Sequence, residues 1–285
     1  MIFKKSRQNW NMHSIKWNEI QKDLVSEKFF RIIAVTALLE SRSGIYSSYL
    51  LRCLRERPEW HKTVKIWGKE ESLHGRALSR LSLILNEEYD IKNIFRIYKN
   101  KIKYHEGAPE SVRGSVEGEM TARCTVEALA VTYYKALKSE CSDPEISGML
   151  NCLIKDESRH FGMFYTMKNL EDRDRCSGRL ERILIVLKRL IELDDDQITY
   201  AAYLVYFGPD TEYKPRKARA AFLSDLYSYY GIKEMDYLSK QLLFILGFQS
   251  VVTLLRKAVS WTLFFSVKFR MLFFRMTDRL LSSGS

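Results

Sequence analysis

The chain has 285 residues, of which 46% are hydrophobic and 28% charged, a composition typical of a soluble globular protein. Its 46 basic and 35 acidic residues give a net charge of +11, which favours an acidic partner such as nucleic acid, anionic lipid or an acidic protein. With only 13 Gly and 5 Pro, and with long stretches of helical apolar spacing, the sequence predicts an all-α fold rather than a β-rich one.

The five cysteines are scattered and form no Cys-x-x-Cys pair, which argues against a disulfide framework. They favour a reducing compartment, and we expect a cytoplasmic protein. The segment from Met1 to Trp10 is polar and basic without an apolar core, so it does not resemble a secretory signal.

The first predicted helix runs from Asn18 to about Leu54 and places Glu40 among apolar residues. Two interpretations of Glu40 stay open, an exposed acid on an amphipathic helix or a buried ligand. Arg57-Pro58-Glu59 marks the next break, because proline suits the first turn of a helix and not its interior.

Three further helices carry the remaining candidate residues, with breaks at Gly107-Ala108-Pro109 and at Cys141-Ser142-Asp143-Pro144. Their predicted bounds are Pro58 to Leu85, Val116 to Lys138 and Pro144 to Leu170. A shorter helical segment is predicted from Ile91 to Ile102.

Two of these helices contain a Glu-x-x-His pair, Glu71 with His74 and Glu157 with His160. Residues i and i+3 lie on one face of a helix, so each pair can point at one metal ion from the same side. A single such pair is weak support, since exposed helices contain one by chance.

The spacing indicates an internal repeat, because Glu40 precedes Glu71 by 31 residues and Glu127 precedes Glu157 by 30. Two hairpins related in this way would place four carboxylates and two imidazoles in one bundle core. This is the ligand set of ferritin-like di-iron and di-manganese carboxylate proteins. The six predicted metal ligands are Glu40, Glu71, His74, Glu127, Glu157 and His160.

Carboxylate oxygens with one histidine per ion suit iron, with manganese as an alternative, and leave positions open for O2. Four buried glutamates without cations would each cost several kcal/mol of desolvation, whereas two divalent ions balance four negative charges. We assign Glu40, Glu71 and His74 to one ion and the other three to the second. Glu71 and Glu157 are the expected bridging pair.

Other acids and aromatic residues compete for roles near this site. Glu70, Glu117 and Glu119 are alternative ligands, but Glu119 lies about 80° around the helix from Glu127, which has the more apolar surroundings. Asp156 is either an exposed acid or an acceptor for the second N–H of a ligand histidine. The aromatic residues are expected to pack in the core rather than to relay electrons: Trp67, Tyr133, Tyr134 and Tyr165.

Trp-x-x-Glu-Glu-x-x-His-Gly at Trp67 to Gly75 and Asp-Glu-x-Arg-His at Asp156 to His160 resemble the two metal motifs of the soluble acyl-acyl-carrier-protein desaturases. The resemblance covers roughly residues 28 to 190. It implies a ferritin-like four-helix bundle with a di-iron centre that activates O2, a ferredoxin-type electron donor, and an acyl chain on an acidic carrier protein as substrate.

The chain departs from that family at Ala130, where the family has a threonine one turn after the third-helix glutamate. It is also shorter than a typical plant member. A di-iron hydroxylase acting on a carrier-bound, lipid or tRNA substrate therefore stays as an alternative to desaturation. Iron storage is a third interpretation, and the Trp-bearing motif and the long C-terminal extension speak against it.

The predicted organisation is an N-terminal extension (1–17), the bundle (18–193) and a C-terminal helical extension (194–285). Further helices are predicted from Gly178 to Leu193 and from Pro215 to Tyr230, with a turn at Phe207-Gly208-Pro209-Asp210 between them. From Lys240 onward seven basic residues face one acid, a net +6 of the total +11. Basic residues clustered in an apolar tail fit a lipid better than a nucleic acid, so this placement argues against nucleic acid as a partner.

Residues 240–281 contain two uncharged stretches, both shorter than the ~20 apolar residues that span a bilayer. Four basic residues lie within about 40° on a helical projection, as in helices that lie at a membrane interface. They are Lys257, Lys268, Arg275 and Arg279. Either this segment contacts a membrane peripherally, or it covers the bundle or forms a homodimer contact.

Overall fold

A computed structural model describes residues 9–101, 111–171, 178–191, 196–248 and 253–282, with side chains of the last helix described to residue 277. Within these ranges there are eleven α-helices and no strand, which confirms the predicted all-α fold. The first six are α1 (Glu27–Glu40), α2 (Ser43–Cys53), α3 (Pro58–Leu85), α4 (Ile91–Lys101), α5 (Val116–Ser139) and α6 (Pro144–Glu171). The others are α7 (Arg179–Ile191), α8 (Asp196–Tyr206), α9 (Pro215–Ser228), α10 (Ile232–Ile245) and α11 (Thr253–Ser282).

The prediction of one helix from Asn18 to Leu54 is wrong at its start and in its middle. Three short 3-10 turns precede α1, which begins after Ser26 because the serine side chain accepts a hydrogen bond from the Phe29 amide at 3.2 Å. Serine is among the best residues for this capping position. The helix then stops at Glu40, and α2 starts at Ser43 after a turn.

The bounds of α3, α5 and α6 agree with the prediction to within a residue. Pro58 and Pro144 open α3 and α6. Ser115 caps α5 by accepting a hydrogen bond from the Gly118 amide at 3.0 Å. These three helices begin where the sequence carries a strong start signal, which explains the agreement.

Residue contacts show that these helices pair antiparallel. Glycine at position 75 lies against the end of α1, so a Cβ there would come within 3.0 Å of the Ser41 amide nitrogen. Seven residues earlier, Gly68 lies against Ser47 of α2. In the other half, Lys138 near the end of α5 donates to Asn151 near the start of α6 at 2.9 Å.

The C-terminal helices differ from the prediction in three places. Helix α8 was not predicted, α9 ends at Ser228 rather than Tyr230, and the segment 240–281 is divided between α10, which begins at Ile232, and α11. A turn with Gly208 at φ 80° separates α8 from α9, as expected for glycine in the left-handed region. The predicted turn at Gly107-Ala108-Pro109, and the helix ends at Ile102 and Leu193, lie outside the described residues.

Two apolar clusters fill the helical bundle. One lies between α1, α3, α4, α5, α6, α8 and α9 and includes Phe274 of α11. The other lies between α2, α3, α5, α6, α7 and α10, with partly buried residues of α11 packed against it. Among the helices of the described ranges, none is both long and apolar enough to cross a membrane.

Candidate metal centre

The structure brings the six predicted ligands together in the bundle interior, and we name them the central cluster. Donor atoms of Glu71, Glu127, Glu157 and His160 lie within 4.8 Å of one another, as do those of Glu40, Glu71 and His74. Glu71 belongs to both groups. All six are buried except Glu40, which is partly buried.

Four helices position these side chains. Glu40 is the last residue of α1, Glu127 lies in the middle of α5, and the two Glu-x-x-His pairs project from α3 and α6. The glycine that follows His74 lets α3 approach the end of α1 closely, and this brings Glu40 beside the pair. A side chain at Gly75 would separate the two helices.

Both histidines direct Nδ1 into the cluster. His74 Nδ1 lies 3.2 Å from Glu157 Oε1 and 3.9 Å from Glu71 Oε2. His160 Nδ1 lies 2.9 Å from Glu71 Oε1, 3.3 Å from Glu157 Oε2 and 3.9 Å from Glu127 Oε2. Glu71 and Glu157 therefore each face both imidazoles, as expected of carboxylates that bridge two ions.

The outer nitrogens of both histidines bind carboxylates from the opposite helix. His74 Nε2 on α3 lies 3.2 Å from Asp156 Oδ2 on α6, and His160 Nε2 on α6 lies 2.9 Å from Glu70 Oε2 on α3. An N–H bond at Nε2 fixes the ring and leaves the Nδ1 lone pair available for a metal ion. Because α6 orients the histidine of α3 and α3 orients the histidine of α6, each half of the site depends on the other.

Arg159 and Trp10 hold these outer carboxylates in place. The Arg159 guanidinium donates to Asp156 Oδ1 at 2.6 Å and to Glu70 Oε2 at 2.8 Å. One side chain therefore binds the outer partners of both histidines. Trp10 Nε1 donates to Asp156 Oδ2 at 2.8 Å, and the indole stacks on His74 with 6.1 Å between ring centroids. The N-terminal segment thus closes one side of the site.

Glu40 is tied to α5 through a tyrosine. The Tyr134 hydroxyl donates to Glu40 Oε1 at 3.1 Å. The neighbouring Tyr133 hydroxyl contacts Thr36, one turn before Glu40. The interpretation of Tyr134 as core packing alone is therefore incomplete.

Hydrogen bonds favour the charged form of both histidines in the absence of a metal. Burial opposes a charge on His74, but its bonds to Asp156 and Glu157 outweigh burial and raise its pKa to about 10. The pKa of His160 is also raised well above its ordinary value, because bonds to Glu157, Glu70 and Glu71 outweigh burial.

Two of the glutamates are pushed toward their neutral form. Burial, followed by repulsion from Glu71 and Glu157, raises the pKa of Glu40 well above its ordinary value. Burial and the same two carboxylates raise the pKa of Glu127. Burial alone would also raise the pKa of Asp156, but bonds from His74, Arg159 and Trp10 lower it to about 2.

The donor set fits two divalent cations. Three buried atoms facing the interior make no well-oriented hydrogen bond, although charged groups lie close to them: Glu71 Oε1, 2.9 Å from His160 Nδ1, and the pair His74 Nδ1 and Glu157 Oε1, 3.2 Å apart. Such atoms are costly in a protein interior unless a ligand satisfies them. Four carboxylates and two imidazoles supply the oxygen-rich, mixed ligand set that iron and manganese accept.

The competing acids lie elsewhere. Glu70 binds His160 on its outer side, Glu117 lies 3.6 Å from Arg182, and Glu119 accepts bonds from Tyr49 and Ser111. The sequence spacing favoured Glu127 over Glu119, and the structure places only Glu127 in the central cluster.

Sequence reasoning missed Trp10 and Arg159 as contributors to the site. Arg159 could have been noticed, since it lies between Glu157 and His160 and follows Asp156 by one helical turn. Trp10 carries no local signal. Comparison with protein-family models finds no match, and a search of curated proteins finds no similar sequence.

Proposed function

We propose that the chain is an O2-dependent di-iron oxidoreductase with a ferritin-like bundle, and that it introduces a double bond into an acyl chain. The observation that carries the proposal is the inward direction of both Nδ1 atoms toward the shared carboxylates Glu71 and Glu157. The likeness of the two Glu-x-x-His motifs to those of acyl-carrier-protein desaturases supports it.

The residues divide into two sets, one for each ion. Glu40, Glu71 and His74 would hold one ion, while Glu127, Glu157 and His160 would hold the other, with Glu71 and Glu157 shared. When bound, two iron ions supply the O2-activating chemistry. Manganese remains the alternative metal.

The surrounding residues prepare the site for cations. Asp156 and Glu70 accept the Nε2–H bonds of the two histidines and keep the rings in place. Arg159 pairs with both outer carboxylates, which holds them beside the histidines and leaves the inner carboxylates to the metal. Each outer bond also makes the imidazole a better ligand.

An apolar substrate fits the surroundings of the cluster. Ala128 follows Glu127, Phe161 follows His160, and both belong to the apolar cluster that reaches α10 and α11. Met120, Cys124 and Phe164 are fully buried in the same cluster. Side chains of this kind exclude water, and an apolar lining is what a hydrocarbon substrate requires.

The remaining parts of the proposal rest on the motif likeness, the charge and the scattered cysteines. They are an acidic acyl carrier protein or a lipid-like substrate, a ferredoxin-type electron donor and a cytoplasmic location. The net charge of +11 supports an acidic partner.

Reaction of iron-loaded protein with acyl carrier protein substrates, a reductant and O2 tests the proposal. We expect iron-dependent O2 uptake and a product that has lost two hydrogen atoms. A product that has gained one oxygen atom would favour the hydroxylase instead. Equal O2 uptake by wild type and a Glu157→Gln variant would contradict both.

A further inference from the structure

Helix α11 has two apolar faces, and only one of them is packed against the protein. On the inner face, Phe274 is buried beside Tyr227, and Ser260 binds Ser239 at 2.8 Å. The Lys268 ammonium donates to the Tyr227 carbonyl at 3.5 Å. These contacts fix the helix on α9 and α10, so its outer face has a defined orientation.

The outer face exposes eight large apolar side chains, each with 47–75% of its surface accessible. At 100° per residue they fall within an arc of about 120°. They are Leu254, Leu255, Trp261, Phe265, Phe269, Leu272, Phe273 and Met276. A continuous apolar face of this size on a soluble protein marks an interaction surface.

Basic residues lie along one edge of this apolar face. Lys257 and Arg275 are exposed, share one direction on the helix and lie about 40° beyond Trp261. No acid occurs in residues 253–277. An apolar arc bordered by cations matches the interface of an anionic bilayer, where acyl chains lie beside negative headgroups.

We propose that the outer face of α11 binds the surface of an anionic lipid bilayer, with the helix lying parallel to the membrane plane. The helix has 30 residues, about 45 Å, and would insert Trp261, Phe265 and Phe269 among the acyl chains. Lys257 and Arg275 would contact the headgroups. The proposal uses no residue of the central cluster and does not depend on the metal.

Charge disfavours a second copy of the chain as the occupant. Antiparallel pairing of two α11 helices through this face would place Lys257 of one copy beside Arg275 of the other, on the same edge of the contact, which opposes association. Parallel pairing would place the two copies of Lys257 on opposite edges, where residues 253–277 of the second copy offer no acid to either. A negatively charged lipid surface meets the same residues with opposite charge.

Vesicle flotation of the full-length protein tests the proposal. We expect binding to phosphatidylcholine vesicles that contain phosphatidylglycerol, weaker binding to phosphatidylcholine alone, and release from the anionic vesicles by salt. Absence of binding to the anionic vesicles would overturn the proposal.

Two double variants test whether vesicle binding depends on the α11 face or on exposed apolar side chains in general. We expect F265E/F269E to lower binding by about tenfold or more, because charges enter the apolar arc. The matched control I66E/L83E replaces two exposed apolar residues on α3, 44% and 37% accessible, and should bind as the wild type does. Equal loss in both variants, or no loss in F265E/F269E, would overturn the assignment to α11.

A charge variant tests the basic edge. K257Q/R275Q should weaken binding to anionic vesicles by about fivefold per charge removed and leave binding to phosphatidylcholine unchanged. Unchanged binding to the anionic vesicles would contradict the role of the two cations. Circular dichroism and thermal unfolding of each variant show whether the fold is retained.

Tryptophan fluorescence gives a direct measure of insertion. Trp261 is 47% exposed, whereas the other four tryptophans, Trp10, Trp17, Trp60 and Trp67, are buried. Anionic vesicles should therefore shift the emission to the blue, and W261F should lose the shift while still binding. An emission that does not shift in the wild type would overturn the proposal. So would a wild-type dimer that binds no vesicles and that the F265E/F269E substitutions convert to a monomer, because the occupant of the face would then be a second copy of the chain.

Discussion

Two buried glutamates on α5 show how neighbours decide what a carboxylate does. Glu119 and Glu127 lie eight residues apart, with 1% and 3% of their surfaces exposed. Glu119 accepts hydrogen bonds from Tyr49 and Ser111, both at 2.9 Å, and pairs with Arg123 at 3.3 Å. The protein itself satisfies the charge of this group, which identifies Glu119 as a structural residue.

Glu127 has the opposite surroundings. Its carboxylate faces His160 at 3.9 Å, and repulsion from Glu157 and Glu71 adds to burial in raising its pKa. A buried acid among other acids is stable only when protonated or when cations are present. The difference between Glu119 and Glu127 therefore separates a carboxylate of the fold from a carboxylate available to a metal.

Removing the charge of Glu127 should have the largest effect on metal binding. We expect E127Q to weaken iron binding by more than about 100-fold, the upper end of the loss found for outer partners of a ligand. The metal-free protein should unfold with unchanged stability, because glutamine resembles the neutral acid that this site favours. Iron titration and thermal unfolding measure the two effects, and E119Q is the matched control, which should retain iron.

Metal affinity should fall steeply as the pH falls. His74 and His160 hold protons at neutral pH because their pKa values are raised, and burial favours protons on Glu40 and Glu127. Cations must displace these protons, so affinity should rise with pH by about tenfold or more per unit for each ion. Calorimetry in buffers of different ionisation enthalpy measures the protons released, and a value near zero would count against the cluster as the site.

The outer carboxylates should affect affinity without abolishing it. D156N removes a charge that His74, Arg159 and Trp10 all contact, and it should weaken metal binding by about 10- to 100-fold. E70Q alters the equivalent partner of His160 and should have a smaller effect, because Trp10 does not contact it. An effect confined to stability, with unchanged affinity, would contradict the orienting role.

Substitution of Glu119 should have the smallest effect on metal binding and should lower the stability of the fold instead. E119Q leaves Arg123, which is largely buried, beside a neutral partner and should lower the free energy of unfolding by about 2 kcal/mol. Denaturant titration measures this change. Loss of iron together with intact stability would reverse the proposed roles of Glu119 and Glu127.

The parts of the fold that the sequence predicted correctly are those with local signals. Proline at positions 58 and 144 starts α3 and α6, and the three-residue spacing places each Glu-x-x-His pair on one helical face. The all-α fold and the meeting of the six residues could be expected on these grounds. Their roles as metal ligands stay a prediction.

The remainder depends on contacts between distant residues. Trp10 and Asp156 are 146 positions apart, and Tyr134 reaches Glu40 across 94 positions, so neither bond has a sequence signature. The break after Glu40 does carry a local signal, Ser41-Arg42-Ser43-Gly44, but the helical apolar spacing before and after it favoured one continuous helix. The Ser26 cap, in contrast, is a local signal in the sequence that predicts the start of α1.

Iron content after anaerobic loading with Fe(II) and removal of excess metal tests the central claim most directly. We predict about two iron ions per chain for the wild type and for E119Q, and well below that for E127Q. A wild-type protein that retains well under one iron per chain, or an E127Q variant that retains as much as the wild type, would contradict the account.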